Sequence, residues 1–424
     1  MAFLPGRDYL SYVVALRACA KAVNNPSLPA GKLLGPQFVA PAVLAPCATR
    51  PGDSRGRLYP ETESPTRTAY QRDRDRIIHS TAFRRLKHKT QVFVQHEGDY
   101  YRTRMTHSLE VAQIARSLAR VLALDEDLAE ALALAHDLGH TPFGHAGEAA
   151  LAAATAAYGG FDHNAHALKL VTQIEHRYAD FDGLNLTWET LEGLVKHNGP
   201  VTGALPGPIA SFNARWDLEL ASWPGLEAQV AALSDDIAYV NHDIDDGLRA
   251  GLFTAADLVE APLAGPHIAE VLAHYGELET GRLAGELVRR LMGVMIGDLL
   301  AETRARLAAV KPPSAAVVRA KGRALAAFSD AMQADIGALK AYLFSHMYRH
   351  PRVTESMERA KAVVAELAVA FCADPSLLPA DWAAACAGAG EERRVSVVRD
   401  YIAGMTDRYA LLEHHRIFHT QIAL

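Results

Sequence analysis

Three segments of the chain carry histidine and aspartate in an order typical of a metal site. His107 comes first, the adjacent His136 and Asp137 follow, and the acidic pair Asp235-Asp236 lies further along. Imidazole and carboxylate ligands together suit Mn²⁺, Fe²⁺, Zn²⁺ or Co²⁺, and Mg²⁺ more weakly. Such an ion polarises a phosphoryl oxygen and acidifies a water when coordination positions stay open. The pattern indicates a divalent metal centre, with either residue of the acidic pair as the last ligand.

The chain just after His136-Asp137 contains Gly139 and Pro142. Adjacent residues on an α-helix point about 100° apart, so both side chains can share one ion only where the helix ends or bends. A glycine and a proline at these positions predict that ending. A lone His-Asp pair is usually a surface feature, and it is the ordered set of ligand residues that favours a metal site.

His145 and Glu148 lie three residues apart, just after the predicted helix break. If a new helix begins near Gly144, the two side chains share one face. A carboxylate beside an imidazole fixes its tautomer and raises its pKa, which suits proton transfer. The pair therefore predicts an acid–base group beside the metal.

Helices must position these residues, because apolar side chains recur at helical spacing through most of the chain. Residues 90–104 differ, since short apolar pieces flank a polar turn and predict one small β-hairpin. The fold class is therefore all-α, with one hairpin near residues 90–104. We predict helices over residues 107–124, 127–137, 163–175, 187–196, 226–250, 282–307, 315–347, 354–372 and 391–405, and one more from residue 146.

Composition excludes several classes of protein. The chain has 50% hydrophobic and 22% charged residues with a net charge of -6, which is typical of a globular protein without a global affinity for nucleic acid. Its four cysteines show no C-x-x-C spacing, so we expect a reducing, cytoplasmic compartment. Spanning a bilayer takes about 20 apolar residues in a row, and no run approaches that length, so we expect no membrane segment.

Six stretches of the sequence together resemble the HD superfamily, and within it the bacterial dGTPase-like deoxynucleoside triphosphate triphosphohydrolases. The resemblance runs from about residue 53 to near the C-terminus, and the extended motif around His136 is far more specific than the two letters HD. The stretches are FRRLKHKTQV (83–92), RTRMTHSLE (102–110), AHDLGHTPFGHAGE (135–148), FDHN (161–164), SDDIAYVNHD (234–243) and DYIAGMTD (400–407).

The resemblance implies three units along the chain. Residues 1–50, which prolines interrupt repeatedly, would form a poorly ordered N-terminal extension without a counterpart in the family pattern over most of its length. Residues 51–250 would form the HD phosphohydrolase core, a helical fold. Residues 251–424 would form an additional C-terminal helical region packed on that core.

The resemblance also assigns roles to individual residues. It implies that the metal ligands are His107, His136, Asp137 and Asp235, which is the first of the acidic pair. The ion would be Mn²⁺ or Mg²⁺, with Fe²⁺, Co²⁺ or Zn²⁺ as alternatives. His145, supported by Glu148, would lie beside the α-phosphate and the sugar O5′ as the catalytic pair. The implied substrate-binding residues are Gln91, Arg104, His140, His163, Asn164, Tyr239, Asp243, Tyr401 and Asp407.

Some of these implied contacts are more specific. Arg104 would bind a phosphate, Gln91 the sugar or base, and Asp243 the 3′-hydroxyl. Tyr239 lies one helical turn after Asp235 and would stack on deoxyribose, which excludes a 2′-hydroxyl. Of the remaining members of the set, His140, His163 and Asn164 would line the pocket, whereas Tyr401 and Asp407 would reach the substrate or a subunit interface. We interpret three other histidines as structural: His166, His176 and His197.

The implied reaction is metal-dependent hydrolysis of a dNTP to deoxynucleoside and inorganic triphosphate. One alternative is another HD phosphohydrolase, acting on nucleoside monophosphates, cyclic nucleotides or guanosine tetraphosphate. Another is a nucleotide-sensing or single-stranded nucleic-acid-binding protein, because ten Lys/Arg accompany four acidic residues between positions 67 and 104. The complete ligand set argues against a purely binding role. The resemblance further implies a homo-oligomer, often a hexamer, and in some members a dNTP activator.

Overall fold

Helices account for nearly all regular structure in residues 43–91, 102–420 and 422, which are those that the computed structural model describes. In this part of the chain the β-structure consists of isolated bridges. The all-α prediction is therefore confirmed. Most of the predicted hairpin, at residues 92–101, lies outside the described residues, while its flanks Thr90 and Thr103 form one antiparallel bridge.

Nine helices precede residue 250 in the part of the chain that the structure describes. Short 3₁₀ or π turns at Pro51–Asp53, Leu86–His88, Ala156–Tyr158 and Leu170–Ile174 accompany them. The nine helices are α1 Ala69–Ile78, α2 Thr81–Arg85, α3 Arg104–Val121, α4 Glu126–Ala135, α5 Gly144–Ala154, α6 His163–Lys169, α7 Trp188–Val195, α8 Gly207–Arg215 and α9 Leu226–Arg249.

Nine more helices follow among the described residues. Turns at Phe344–Tyr348 and Pro375–Leu377 accompany them. These later helices are α10 Ala255–Val259, α11 Ala264–Tyr275, α12 Thr280–Val310, α13 Ala315–Ala320, α14 Asp330–Leu343, α15 Pro351–Ala373, α16 Ala380–Cys386, α17 Glu391–Ala403 and α18 Asp407–Phe418.

Helices α3, α4 and α9 pack against one another and form the centre of the larger core. Their apolar residues recur at helical spacing, as in α3, where Val111, Ile114 and Leu118 are buried. Helix α9 is covered on most sides because α12 and α14 pack on it as well. Polar residues in the middle of α9 are therefore enclosed by the protein and need partners there.

The prediction of one helix over residues 315–347 is wrong, because the segment between α13 and α14 is not helical. Gly322 adopts a φ of +75°, a left-handed conformation that ends a helix readily. The backbone N–H of Leu325 then donates to the side chain of Gln229, and Leu325 is buried. Ser329 caps the next helix, its side chain accepting from the N–H of Met332. Burial of the connecting segment outweighs its local helical spacing.

The last residues of the predicted N-terminal extension, 1–50, contact the helical core, and the extent of the extension stays a prediction. Residues 1–42 lie outside the described residues, but Cys47, Ala48 and Thr49 are buried in the larger core. The backbone N–H of Ala45 donates to the carbonyl of Ala123 at 2.7 Å, and Thr49 donates twice to the Glu227 carboxylate. These contacts fix the segment after residue 43 to the helical core.

Two hydrophobic clusters divide the buried residues of the described chain. The larger one extends from Cys47 to Val353. The smaller one contains α15, α17 and the start of α18, together with Phe143 and Leu151 from the segment around α5. The clusters therefore do not separate at residue 250, and the division into 51–250 and 251–424 stays a prediction. Among the described helices, none has the length and apolar character needed to cross a membrane.

A buried acid at the start of α4 generates a stability prediction. Asp125 accepts the N–H of Leu128 at 2.8 Å, and burial, with the nearby Glu227 carboxylate, raises its pKa to about 7. The folded state therefore holds this proton more tightly than the unfolded chain, whose Asp pKa is about 4. This contribution to stability is present below pH 4 and lost as the pH rises through about 7.

We expect Asp125→Asn to keep the helix cap but to lose less stability between pH 5 and pH 8 than the wild type. Urea unfolding at both pH values measures the difference in the free energy of unfolding. Asp330→Asn, at an exposed acid in the first turn of α14, is the control. Equal pH dependence in Asp125→Asn and the wild type would contradict the prediction.

Candidate metal centre and active site

Three helices bring the predicted metal ligands to one place. Helix α3 begins with a capping box, in which Thr103 and Thr106 satisfy each other's backbone N–H, and its first turn buries His107. Helix α4 ends at Ala135, so His136 and Asp137 lie in the following turn, as the glycine and proline predicted. Asp235 lies in the middle of α9.

The ligand atoms of these residues lie close together. His107 Nε2 is 2.9 Å from Asp235 Oδ1, and His136 Nε2 is 3.6 Å from the same oxygen. His136 Nε2 is 3.7 Å from Asp137 Oδ1. Ligand atoms about 2 Å from a shared ion lie about 3 Å from one another. The described His/Asp group therefore has the spacing of a metal site.

Unsatisfied buried atoms show that a cation fits this group. His136 Nδ1–H donates to the carbonyl of Ala133 at 2.6 Å, which leaves a lone pair on Nε2. His136 Nε2 and Asp137 Oδ2 are both buried and have no hydrogen-bond partner. Burial alone would raise the pKa of Asp137, but nearby Arg104 and the adjacent imidazoles hold it well below its usual range. A divalent cation would satisfy both atoms.

The structure separates the two residues of the acidic pair. Asp235 faces His107 and His136, whereas Asp236 Oδ1 accepts from Lys340 Nζ at 2.5 Å on α14. Only the first of the pair therefore belongs to the His/Asp group. Sequence spacing does not distinguish them, because neighbouring positions on a helix differ only in which partner helix they face.

His197, which the sequence analysis interprets as structural, lies beside the predicted metal ligands. Its Nε2 is 3.4 Å from Asp235 Oδ2, and its ring stacks on that of His136 with 5.2 Å between centroids. It follows the end of α7, which packs on α4 and α9. No local motif marks this position, so its proximity depends on how the three helices pack.

A second cluster contains the predicted catalytic pair. His145 Nδ1–H donates to Glu148 Oε2 at 3.0 Å, and His163 Nδ1–H donates to Glu148 Oε1 at 2.7 Å. Burial would raise the pKa of Glu148, but the hydrogen bonds from both imidazoles hold it well below its usual range. Burial would lower the pKa of His163, and the Glu148 carboxylate outweighs that effect and raises it. Glu148 thus orients two imidazoles at once.

Asp137 joins the two clusters. Arg104 Nη1 donates to its Oδ1 at 2.8 Å, and His140 Nδ1 lies 3.0 Å from the same oxygen. The His140 ring in turn stacks on His163 with 4.1 Å between centroids. A Cβ at Gly144, whose φ is +57°, would come within 2.6 Å of Arg104 Nη2, so this turn requires glycine.

Tyr239 and Asp243, the predicted sugar contacts, lie next to a residue that the sequence did not mark. The hydroxyls of Tyr239 and Tyr348 form a hydrogen bond, and Tyr348 also donates to Asp243 Oδ2 at 2.9 Å. Burial raises the pKa of Asp243 to about 8. Tyr348 ends the π turn after α14 and lies 105 residues from Asp243. Only the long-range packing of α9 and α14 brings it here.

The remaining predicted substrate contacts have different surroundings. Gln91 is half-buried, and its Oε1 has no described partner. Asn164 is half-buried beside His163 in the first turn of α6. Tyr401 packs between Phe371 and Trp382 in the smaller cluster.

Asp407, another predicted contact, is buried. It accepts hydrogen bonds from the backbone N–H groups of Thr90 and Phe143. It therefore holds α18 on the turn that carries the second cluster. The substrate roles of Asp407, Tyr401, Gln91 and Asn164 stay predictions.

Comparison with known proteins defines the class and then the family. Residues 104–240 match the family model of the HD domain, and residues 326–416 match that of the phosphohydrolase-associated domain. The helical fold and the His/Asp group are thus those of an HD-domain protein, as the motifs predicted.

Full-length relatives narrow this class. A deoxyguanosinetriphosphate triphosphohydrolase-like protein of Parvibaculum lavamentivorans is 60% identical over 384 residues, which cover 89% of this chain and 97% of the relative. Proteins of the same name from Brucella anthropi (57% identical, covering 88% and 95%) and Cereibacter sphaeroides (55% identical, covering 88% and 100%) are also similar. The chain belongs to the deoxyguanosinetriphosphate triphosphohydrolase-like family.

The close packing of Gly139 on α6 generates a prediction about the second cluster. A Cβ at Gly139 would lie 1.9 Å from the carbonyl oxygen of His163 and 2.5 Å from the N–H nitrogen of Ala167. Gly139→Ala must therefore displace α6 and weaken the contact between His163 and Glu148. We expect a loss of about 1–3 kcal/mol in the free energy of unfolding. Thermal unfolding would measure it.

Gly297→Ala is the matched control, because a Cβ there meets nothing within 4 Å on the exposed face of α12. Alanine in a helix interior is more favourable than glycine by about 0.5–1 kcal/mol. Gly297→Ala should therefore be neutral or stabilising. Similar stabilities for the two variants would show that α6 does not pack on Gly139 as described.

Proposed function

We propose that this protein hydrolyses deoxynucleoside triphosphates to deoxynucleoside and inorganic triphosphate in a metal-dependent reaction. The observation that carries the proposal is the junction at Asp137 between two clusters: a buried His/Asp group that fits a divalent cation, and the imidazole pair held by Glu148. Relatives named deoxyguanosinetriphosphate triphosphohydrolase-like support the substrate class.

His107, His136, Asp137 and Asp235 would hold the ion, which we propose to be Mn²⁺ or Mg²⁺, with Fe²⁺, Co²⁺ or Zn²⁺ as alternatives. When bound, such an ion supplies Lewis-acid polarisation of a phosphoryl oxygen. The ligand residues are held in place from outside the group, since Ala133 orients His136 and Arg104 orients Asp137.

His145 is the proposed proton donor to the leaving group. Water attacks the α-phosphorus and releases one proton to solvent, and the bond from phosphorus to the sugar O5′ breaks. O5′ takes the proton that His145 donates, and solvent then restores that proton to His145. The Glu148 carboxylate accepts from Nδ1–H, so Nε2 is the atom that faces the substrate. The His145 side chain is 67% exposed, which leaves it accessible to a ligand from solvent.

The remaining roles follow the arrangement of the site. We propose that Arg104, His140, His163 and Asn164 lie near the phosphates, where positive and hydrogen-bonding groups offset the substrate charge. Gln91 would contact the sugar or base.

Tyr239 is proposed to stack on the deoxyribose, with Asp243 at the 3′-hydroxyl. Tyr348 orients both residues through its hydroxyl, so we add it to the proposed sugar site. Tyr401 and Asp407 would contact the substrate or lie at a subunit interface.

Assembly, activation and compartment are further proposals. The family resemblance supports a homo-oligomer, of hexameric form in many members, and a second dNTP as activator. The scattered cysteines, of which Cys47 and Cys386 are buried as free thiols, support the cytoplasmic location.

The acidic pair offers a matched test of the metal centre. Asp235→Asn should weaken Mn²⁺ binding at least tenfold, because it removes a charged ligand. Asp236→Asn, one residue away and bound to Lys340, should bind Mn²⁺ as the wild type does. Isothermal titration of metal-free protein measures both. Equal losses in the two variants would contradict the assignment of Asp235.

The reaction itself is tested by its products. Mn²⁺-loaded protein should convert dGTP, or another dNTP supplied alone or in a mixture, to deoxynucleoside and intact triphosphate. Chromatography that resolves nucleoside from nucleotides is the measurement. Nucleoside monophosphate with pyrophosphate, or diphosphate with phosphate, would favour another HD phosphohydrolase. Oligonucleotide binding without turnover of any dNTP would favour the sensing function.

Proton donation by His145 predicts a selective loss of turnover. His145→Gln should lower kcat by about 10²–10⁴-fold while KM changes little, because general acid catalysis acts in the transition state. His176→Gln is the control, since that side chain is 72% exposed and, among the described residues, contacts the side chain of Asp182. A variant of His145 with wild-type kcat would remove it from the mechanism.

A further inference from the structure

A chain of polar contacts reaches His107 from the surface of α3. The carboxylate of Glu110, one turn after His107, lies against His242 Nε2. His242 Nδ1 in turn lies 3.1 Å from His107 Nδ1. His107 Nε2 then faces Asp235 Oδ1 at 2.9 Å. None of the motif roles carried over from the family includes Glu110 or His242.

When both imidazoles are neutral, one placement of protons suits the contacts from Glu110 to His107. The Glu110 carboxylate accepts, so His242 carries its proton on Nε2. His242 Nδ1 is then an acceptor, and the hydrogen between the two rings belongs to His107 Nδ1. This leaves a lone pair on His107 Nε2, aimed at a carboxylate oxygen of Asp235. Two acceptors at 2.9 Å repel each other unless a proton or a metal cation lies between them.

We propose that Glu110 and His242 form a positioning relay that presents the lone pair of His107 Nε2 to the metal. The inference rests on the proposed function, since it concerns the same metal centre. Ligand histidines usually donate their other ring N–H to a carboxylate, a carbonyl or a water. Here the group next to the ligand His107 is a second histidine, His242, and the carboxylate next to His242 is the partly exposed Glu110.

The surrounding residues hold the relay in place. Arg102 donates to Asp245 and Asp246 at 2.8 and 2.9 Å, and its Nε lies 3.4 Å from Glu110. Because Asp235 and His242 lie seven residues apart on α9, they share one face of that helix. The same helix therefore supplies a ligand and the support of another ligand.

Glu110→Ala tests the relay without disturbing the core, because this side chain is 43% exposed. We expect about tenfold weaker Mn²⁺ binding, measured by isothermal titration, and a kcat that recovers at saturating Mn²⁺. Gln113→Ala, an exposed position one turn further along α3, is the matched control and should bind as the wild type does. Wild-type affinity in Glu110→Ala would overturn the relay.

A second variant tests whether the two residues act as one unit. His242→Leu should weaken Mn²⁺ binding about 10–100-fold, and adding Glu110→Ala to it should cause little further loss. Full additivity of the two losses would overturn the relay, since independent residues add. Failure of Asp235→Asn to weaken binding would instead overturn the metal centre itself, and the relay with it. Unfolding of each metal-free variant by heat shows whether it retains the fold.

Discussion

The buried carboxylate of Asp137 is the constraint on which the site depends. A charge enclosed in protein is costly unless other charges and hydrogen bonds compensate it. Arg104 compensates one oxygen, with His140 beside it, while the other oxygen is buried and has no described partner. The turn after α4 is therefore held between α3 on one side and the second histidine cluster on the other.

The C-terminal helices take part in the same arrangement. Lys89 Nζ donates to the carbonyls of His140 and Ala403, and Asp407 accepts from Thr90 and Phe143. The backbone that carries the second cluster is thus fixed by contacts more than 250 residues apart in sequence. This explains why the smaller hydrophobic cluster includes residues from α5 and its preceding turn. In this protein the C-terminal region helps to fix the turn that carries the second cluster.

Much of the fold could be predicted from the sequence, because the amphipathic periodicity of a helix is a local property. The bounds of α3, α4, α7 and α9 lie within a few residues of the predicted ones. The error at residues 315–347 has the opposite cause, since burial of Leu325 and its hydrogen bond to Gln229 are long-range effects. The segment near Thr49 lacks a helical pattern and is held by contacts with Glu227.

The sequence by itself determined which residue types the site contains and which of them are neighbours along one helix or turn. His136-Asp137 at a helix end, and His145 three residues before Glu148, are local relations that motif spacing expresses. The tertiary structure alone distinguished Asp235 from Asp236 and brought Tyr348 and His242 into contact with predicted site residues. The physical reason is that a helix sets only the direction of each side chain, whereas its partner depends on which helix packs against that face.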